Sequence, residues 1–387
     1  MKVQSSAAAL AAVLAALALT SCQAKEQSST AEEGSGNAAP AEITVDASDD
    51  SCELSGTEGR TGANTFVITN NGSKVTEFYV YDEGERVMGE VENVSPGLQR
   101  TLIVQLTQPG TYQTACKPGM IGDGIRADYT VTGDEVQVDT EGKFKEAADS
   151  YKRYVNSQVE ALVPAVESFA AAVKSGDIEA AKAQFPTSRV YYERIEPVAE
   201  SFPDDLDPRI DLREADLEPG MKWTGFHALE KQLWVTGLQP DANTLADQLV
   251  ADVKELQAGV AAPDFTIDST QIAGGAQGLL DEIATSKISG EEDIFSHTDL
   301  WDFNANLQGS QTAVASVRPI LDERNPDLGT RVDQRFEEAE ALLEKYREGD
   351  GFVLYDKVTE PERQELSRSI DALSKEVSQV QGVIAPQ

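Results

Sequence analysis

Lys143-Phe144-Lys145-Glu146-Ala147-Ala148-Asp149-Ser150-Tyr151-Lys152-Arg153-Tyr154-Val155 is where the chain changes its period. Phe144, Ala148, Tyr151 and Val155, continued by Leu162, Val166, Phe169 and Val173, recur three, four or seven positions apart with charged residues between them. That spacing puts the apolar side chains on one face of a helix, which Pro164 is expected to kink. The same period returns over residues 246–259, 272–286, 307–321, 331–346 and 361–383. Residues 141–387 are therefore expected to form an all-α domain of antiparallel helices.

Upstream the apolar runs are short and rich in β-branched and aromatic residues: Ile43-Thr44-Val45, Thr65 to Thr69, Phe78 to Tyr81, Thr101 to Val104 and Tyr129 to Val131. Asn70-Asn71-Gly72, Ser95-Pro96-Gly97 and Gln108-Pro109-Gly110 supply turns between them. Strands at this spacing predict a small β-sandwich over residues 41–135. A chain of 387 residues exceeds what one core usually organises, which agrees with two domains, β then α.

Residues 22–40 are rich in Ser, Glu, Gly and Ala and read as a flexible stalk. Before them, Lys2 gives a positive start, Ala7 to Leu19 form a short apolar run and small residues follow, the anatomy of a secretory signal over residues 1–21. Leu19-Thr20-Ser21-Cys22 resembles a bacterial lipobox, which implies cleavage before Cys22 and its lipidation. The expectation is an exported protein tethered to the extracytoplasmic face of a membrane, in a periplasm or at a cell surface.

Acidic residues number 67 against 32 basic ones, a formal charge of -35. Such a charge argues against nucleic acid and anionic headgroups as partners and makes cations the natural counterpart, or serves only to keep the protein soluble. With Cys22 assigned to the lipid, Cys52 and Cys116 remain, as a disulfide or as a shared metal site. The chain has two histidines, His227 and His297, and the sandwich segment contains neither. A blue-copper centre with two imidazoles is thereby excluded there, although a site made of Cys52, Cys116 and Glu77 stays open. A His-Glu-x-x-His zinc motif cannot form, and neither a Gly-rich phosphate loop nor a Gly-x-Ser-x-Gly elbow is present.

In Thr224-Gly225-Phe226-His227-Ala228-Leu229-Glu230-Lys231-Gln232-Leu233-Trp234, Phe226, Leu229 and Leu233 make an apolar stripe with His227 and Glu230 on its shoulder. An imidazole and a carboxylate one turn apart can chelate one ion, or can hydrogen-bond each other beside the core. Glu193, Glu196 and Glu200 share a helical face opposite Tyr191, Ile195 and Val198, which favours a solvated acidic face. Pro197 breaks that helix and could turn the carboxylates inward. Asp211 falls in a polar connection, free to face a site, and Ser296 or Thr298 is expected to cap a helix whose acids complement its dipole.

Taken together, Tyr192-Glu193-Arg194-Ile195-Glu196-Pro197-Val198-Ala199-Glu200, Ile210-Asp211-Leu212-Arg213-Glu214, Thr224-Gly225-Phe226-His227-Ala228-Leu229-Glu230-Lys231 and His297-Thr298-Asp299-Leu300-Trp301-Asp302-Phe303, behind a segment with two cysteines, resemble the EfeO family. The resemblance implies a cupredoxin-like domain and an imelysin-type helical domain. It further implies iron, Fe2+ or Fe3+, held by Glu193, Glu196, Asp211, His227 and Glu230, and a second metal, copper or iron, at Cys52, Glu77 and Cys116. The implied partners are an iron permease and a haem peroxidase of the same uptake system, and the implied role is capture rather than catalysis. A metallopeptidase and a copper-dependent oxidation of ferrous iron are the alternative readings.

Overall fold

The computed structural model describes residues 42–136, 142–203, 206–217, 219–263 and 265–385. The expected signal, lipobox with Cys22 and stalk lie outside the described residues. Among those described, no helix is long and apolar enough to cross a membrane.

Nine strands build the first domain: β1 (Glu42–Ala47), β2 (Cys52–Leu54), β3 (Glu58–Arg60), β4 (Gly62–Asn70), β5 (Thr76–Tyr81), β6 (Val87–Val94), β7 (Gln99–Leu106), β8 (Gly110–Pro118) and β9 (Ile125–Thr132). They form two sheets, ordered β2-β1-β4-β7 and β3-β9-β8-β5-β6. The β1–β4 and β3–β9 pairs are parallel and the others antiparallel. Phe66, Ile68, Phe78, Leu102, Val104 and Tyr129 alternate inward along their strands and fill the space between the sheets.

Cys52 opens β2 in one sheet and Cys116 lies within β8 in the other, and a disulfide joins them at a Cα separation of 5.7 Å. The expected metal site at Cys52, Glu77 and Cys116 is therefore corrected. Both sulfurs are consumed in a covalent bond and offer no thiolate. Glu77, moreover, precedes Phe78, whose register partner is Cys116, so strand alternation sends Glu77 to the opposite face of the sheet.

The helical domain begins with α1 (Lys143–Ser175), which carries Pro164 without ending there. It continues through α2 (Ile178–Glu193), α3 (Glu196–Glu200), α4 (Leu206–Asp211), α5 (Gly225–Lys231), α6 (Ala242–Ala261), α7 (Ser269–Glu282), α8 (Asp299–Arg324), α9 (Pro326–Leu343), α10 (Glu360–Val377) and α11 (Val380–Ile384). Tyr151, Val155, Leu162, Val166, Phe169 and Val173 form the buried stripe of α1, which packs on α2, α6 and α8. Single turns of π-helix follow α5, over Gln232–Thr236, and α7, over Ile283–Lys287.

Sandwich and helices pack as one unit. The outer face of β5 and β6 and the edge of β7 meet α3, α7 and α11 through polar contacts. Asn93 Nδ2 donates to Glu282 Oε1 at 2.8 Å. Gln381 Oε1 accepts from the Ile103 N–H, and its Nε2 donates to the Ile103 carbonyl, both at 3.2 Å, which occupies the exposed edge of β7.

Candidate metal centre

Gly225 sets the geometry of the centre. It starts α5 with φ of 83°, and a Cβ there would stand 2.1 Å from the Ile210 carbonyl oxygen. Only glycine permits both the left-handed backbone and that approach, so the start of α5 abuts the end of α4 and His227 comes level with Asp211. Phe226, Leu229 and Leu233 enter the core as the stripe predicts. His227 and Glu230, expected on the shoulder, are fully buried with them.

His227 Nδ1 lies 3.1 Å from Glu230 Oε2. The other oxygen of Glu230 accepts from the backbone N–H groups of Phe295 and Ser296 at 3.0 and 2.7 Å. With Nδ1 facing a carboxylate, Nε2 is turned toward Asp211 Oδ1 and Glu292 Oε1, each 3.6 Å away, and makes no hydrogen bond. Asp211, His227 and Glu292 thus bring three ligand atoms within 4.8 Å of one another. His227, Glu230 and Asp293 make a second such group on the Nδ1 side, with Asp293 Oδ1 at 3.9 Å.

Two fully buried cations hold these acids in place. Arg189, on α2, pairs with Asp211 and reaches Glu193 at 2.5 Å, Glu292 at 3.1 Å and Asp302 at 3.3 Å. Lys287, in the π-turn after α7, has Glu193, Glu196, Glu282 and Glu292 between 3.4 and 3.7 Å from Nζ. Burial and the Arg189 charge push the His227 imidazole down, but Asp211, Glu230 and Glu292 outweigh them and hold it at about 10. Burial would raise Glu292, yet Lys287, His227 and Arg213 keep it well below the usual carboxylate range. Glu193 is pushed up to about 7, because burial outweighs its two cations.

Asp211 and Glu230 therefore both face His227, but at opposite ring nitrogens and in different groups. Glu193 and Glu196 lie beside them, paired to Arg189 and Lys287 and outside both three-ligand groups. The solvated acidic face expected for those two glutamates is replaced by burial: α2 ends at Glu193, Pro197 starts a new turn, and both side chains turn inward. Thr298 holds the N-cap position of α8 but makes no capping bond, donating instead to Asp293, while Asp302 faces Arg189. Sequence reasoning missed Arg189, Lys287, Glu292 and Asp293. Arg189 one turn before Glu193, and the acid run Glu291-Glu292-Asp293 ahead of His297, were the available signals.

The imelysin family model matches residues 147–380 and a cupredoxin-like domain model matches residues 9–131. Proteins from Escherichia coli (strain K12), Shigella flexneri and Shigella sonnei, each named iron uptake system component EfeO, are 40% identical over 349 residues, covering 89% of this chain and 91% of theirs. The chain belongs to the EfeO family. Membership places it among iron uptake components and gives the sandwich its cupredoxin-like class and the helices their imelysin class. Among solved structures, reduced auracyanin from Roseiflexus castenholzii aligns over 24% of this chain and 97% of its own at 16% identity, with a TM-score of 0.21.

Proposed function

We propose that this EfeO-family protein captures iron outside the cell membrane on His227 Nε2, Asp211 and Glu292, and passes it to a membrane permease of the same uptake system. The observation that carries the reading is the buried Nε2, unpartnered between two carboxylates. When an incoming ion takes the place of the Nε2 proton, the ring keeps its Nδ1–H on Glu230 and turns the Nε2 lone pair to the metal, an arrangement common where histidine binds one. Glu230 then orients the ring, and Glu193 and Glu196 adjust the charge around the ion. Oxygen ligands with one imidazole suit iron, although copper and zinc would compete at such a set. Glu230 has both oxygens engaged and none left to activate water, which favours capture over hydrolysis. Attachment through lipidated Cys22, and work beside a haem peroxidase, complete the proposal.

Anaerobic Fe2+ titration of the wild type against His227→Ala with Glu230→Ala tests it. The double variant is expected to lose most binding in the helical domain, and equal affinities would reject the assignment. Because the ion must displace a proton from an imidazole held at about 10, wild-type affinity is expected to be higher at pH 8 than at pH 6. A flat profile would remove His227 from the ligand set.

A further inference from the structure

Arg189 and Lys287 are both fully buried among the acids of the His227 centre, but they are held differently. Arg189 makes directed bonds, at 2.5 Å to Glu193, 3.1 Å to Glu292 and 3.3 Å to Asp302. Lys287 Nζ stands 3.4 Å from Glu193, 3.5 Å from Glu282 and from Glu292, and 3.7 Å from Glu196. None of the four is as short as the roughly 2.7–2.9 Å of a charge-assisted hydrogen bond. The ammonium is thus nearly equidistant from four carboxylates, as a free cation would be, but on a flexible stem. We propose that Lys287 is a tethered counter-ion, which fills this carboxylate cage while the centre is empty and withdraws toward the neighbouring cleft when a metal cation enters.

Glu292 Oε1 is shared between the cage and the imidazole, 3.5 Å from Lys287 Nζ and 3.6 Å from His227 Nε2. A metal ion on His227 Nε2 and Glu292 would have to share that oxygen with the ammonium. Two cations on one buried carboxylate repel each other with little solvent to screen them. A di- or trivalent ion, bonded to oxygen at short range, has the stronger claim on it. Glu196 Oε2, buried and without a hydrogen bond, has no directed contact to lose when the lysine leaves.

The empty centre nevertheless needs the lysine. Among the described ion pairs, Lys287 is the one cation that reaches Glu196 and Glu282, and buried carboxylates left without a partner are costly. Burial opposes the charge on Lys287, but Glu193, Glu196, Glu292 and Glu282 outweigh it and hold the amine well above the usual lysine range. Lys287 also has somewhere to go. It closes the π-turn over Ile283–Lys287, an irregularity often found at functional positions in helices. Glu196, Glu282 and Glu292 of the cage line a cleft of about 960 Å³ between the sandwich and the helices. The inference rests on the function proposed above only in taking iron as the entering ion.

Acetylation of lysine amines on the full chain, read by peptide mass spectrometry, tests the exchange. Lys287 is expected to resist the reagent in the empty protein and to react about tenfold faster once Fe2+ is saturating under anaerobic conditions. Equal protection with and without bound iron would overturn the exchange. Lys287→Met removes the competing charge, so the folded variant is expected to melt below the wild type when empty and to bind Fe2+ about tenfold more tightly. Affinity equal to or below that of the wild type would make Lys287 a fixed support for the acids and overturn the proposal. If the variant does not fold, the labelling of the wild type decides. Iron-dependent labelling, combined with wild-type iron affinity in His227→Ala with Glu230→Ala, would instead reject the ligand set of the proposed function and leave the exchange standing.

Discussion

Glu230 illustrates how much one side chain can decide. Its Oε2 faces His227 Nδ1 and its Oε1 ties down two backbone N–H groups of the segment before α8. Glu230→Gln keeps the shape, but its amide can place an N–H against Nδ1. The neutral ring that a metal needs then keeps its remaining proton on Nε2 rather than Nδ1, which blocks the lone pair on the side of Asp211 and Glu292. Iron affinity is expected to fall by about 10–100-fold, the range for such orienting partners, with little change in the thermal melt. Unchanged affinity in an anaerobic titration would show that tautomer control is not the role of Glu230. The histidine and its glutamate were legible in the sequence because they sit one turn apart on a helix. Glu292 and Asp293 were not, because they come from an irregular segment whose path toward His227 is set by packing.

Among the elements, the junction of α4 and α5 matters most. Gly225 lets α5 start against the Ile210 carbonyl, and Thr224 Oγ1 donates to the Arg209 carbonyl at 2.8 Å on the same junction. Gly225→Ala places a Cβ inside the α4 backbone and forces a left-handed alanine. A loss of about 2–4 kcal/mol is expected from combined strain and overpacking, measurable by urea unfolding, together with weaker iron binding as Asp211 moves off His227. Wild-type stability would mean that the junction is not rigid. The helical periods along the chain located α1, α6, α7 and α9 to within about five residues, entered α8 well after its start at Asp299 and ran α10 on through α11. The break between α2 and α3 was visible as Pro197, but its consequence, two buried glutamates in place of a solvated face, depended on Lys287 arriving from the far side of the domain.

At the scale of the whole molecule, the disulfide and the His227 cluster belong to different layers. Cys52–Cys116 ties the two sheets across a separation of 64 residues, and closing a loop of that length restrains the unfolded chain by about 4 kcal/mol. Cys52→Ser with Cys116→Ser is therefore expected to lower sandwich stability by about that amount in a denaturant melt. Iron binding to the helical domain should be retained, since neither sulfur faces that domain. Loss of iron binding in a folded double variant would mean that the sandwich core controls the helical centre.

The sequence by itself determined the division into β then α, the placing of His227 and Glu230 one helical turn apart and the lack of histidine in the sandwich segment, because period, residue type and count are properties of the chain read in order. Tertiary structure alone decided which acids stand together and which cations accompany them. Arg189, Lys287, Glu292 and Glu200 come from separate elements, and whether a carboxylate faces water, a guanidinium or another carboxylate is fixed only when those elements pack and exclude solvent.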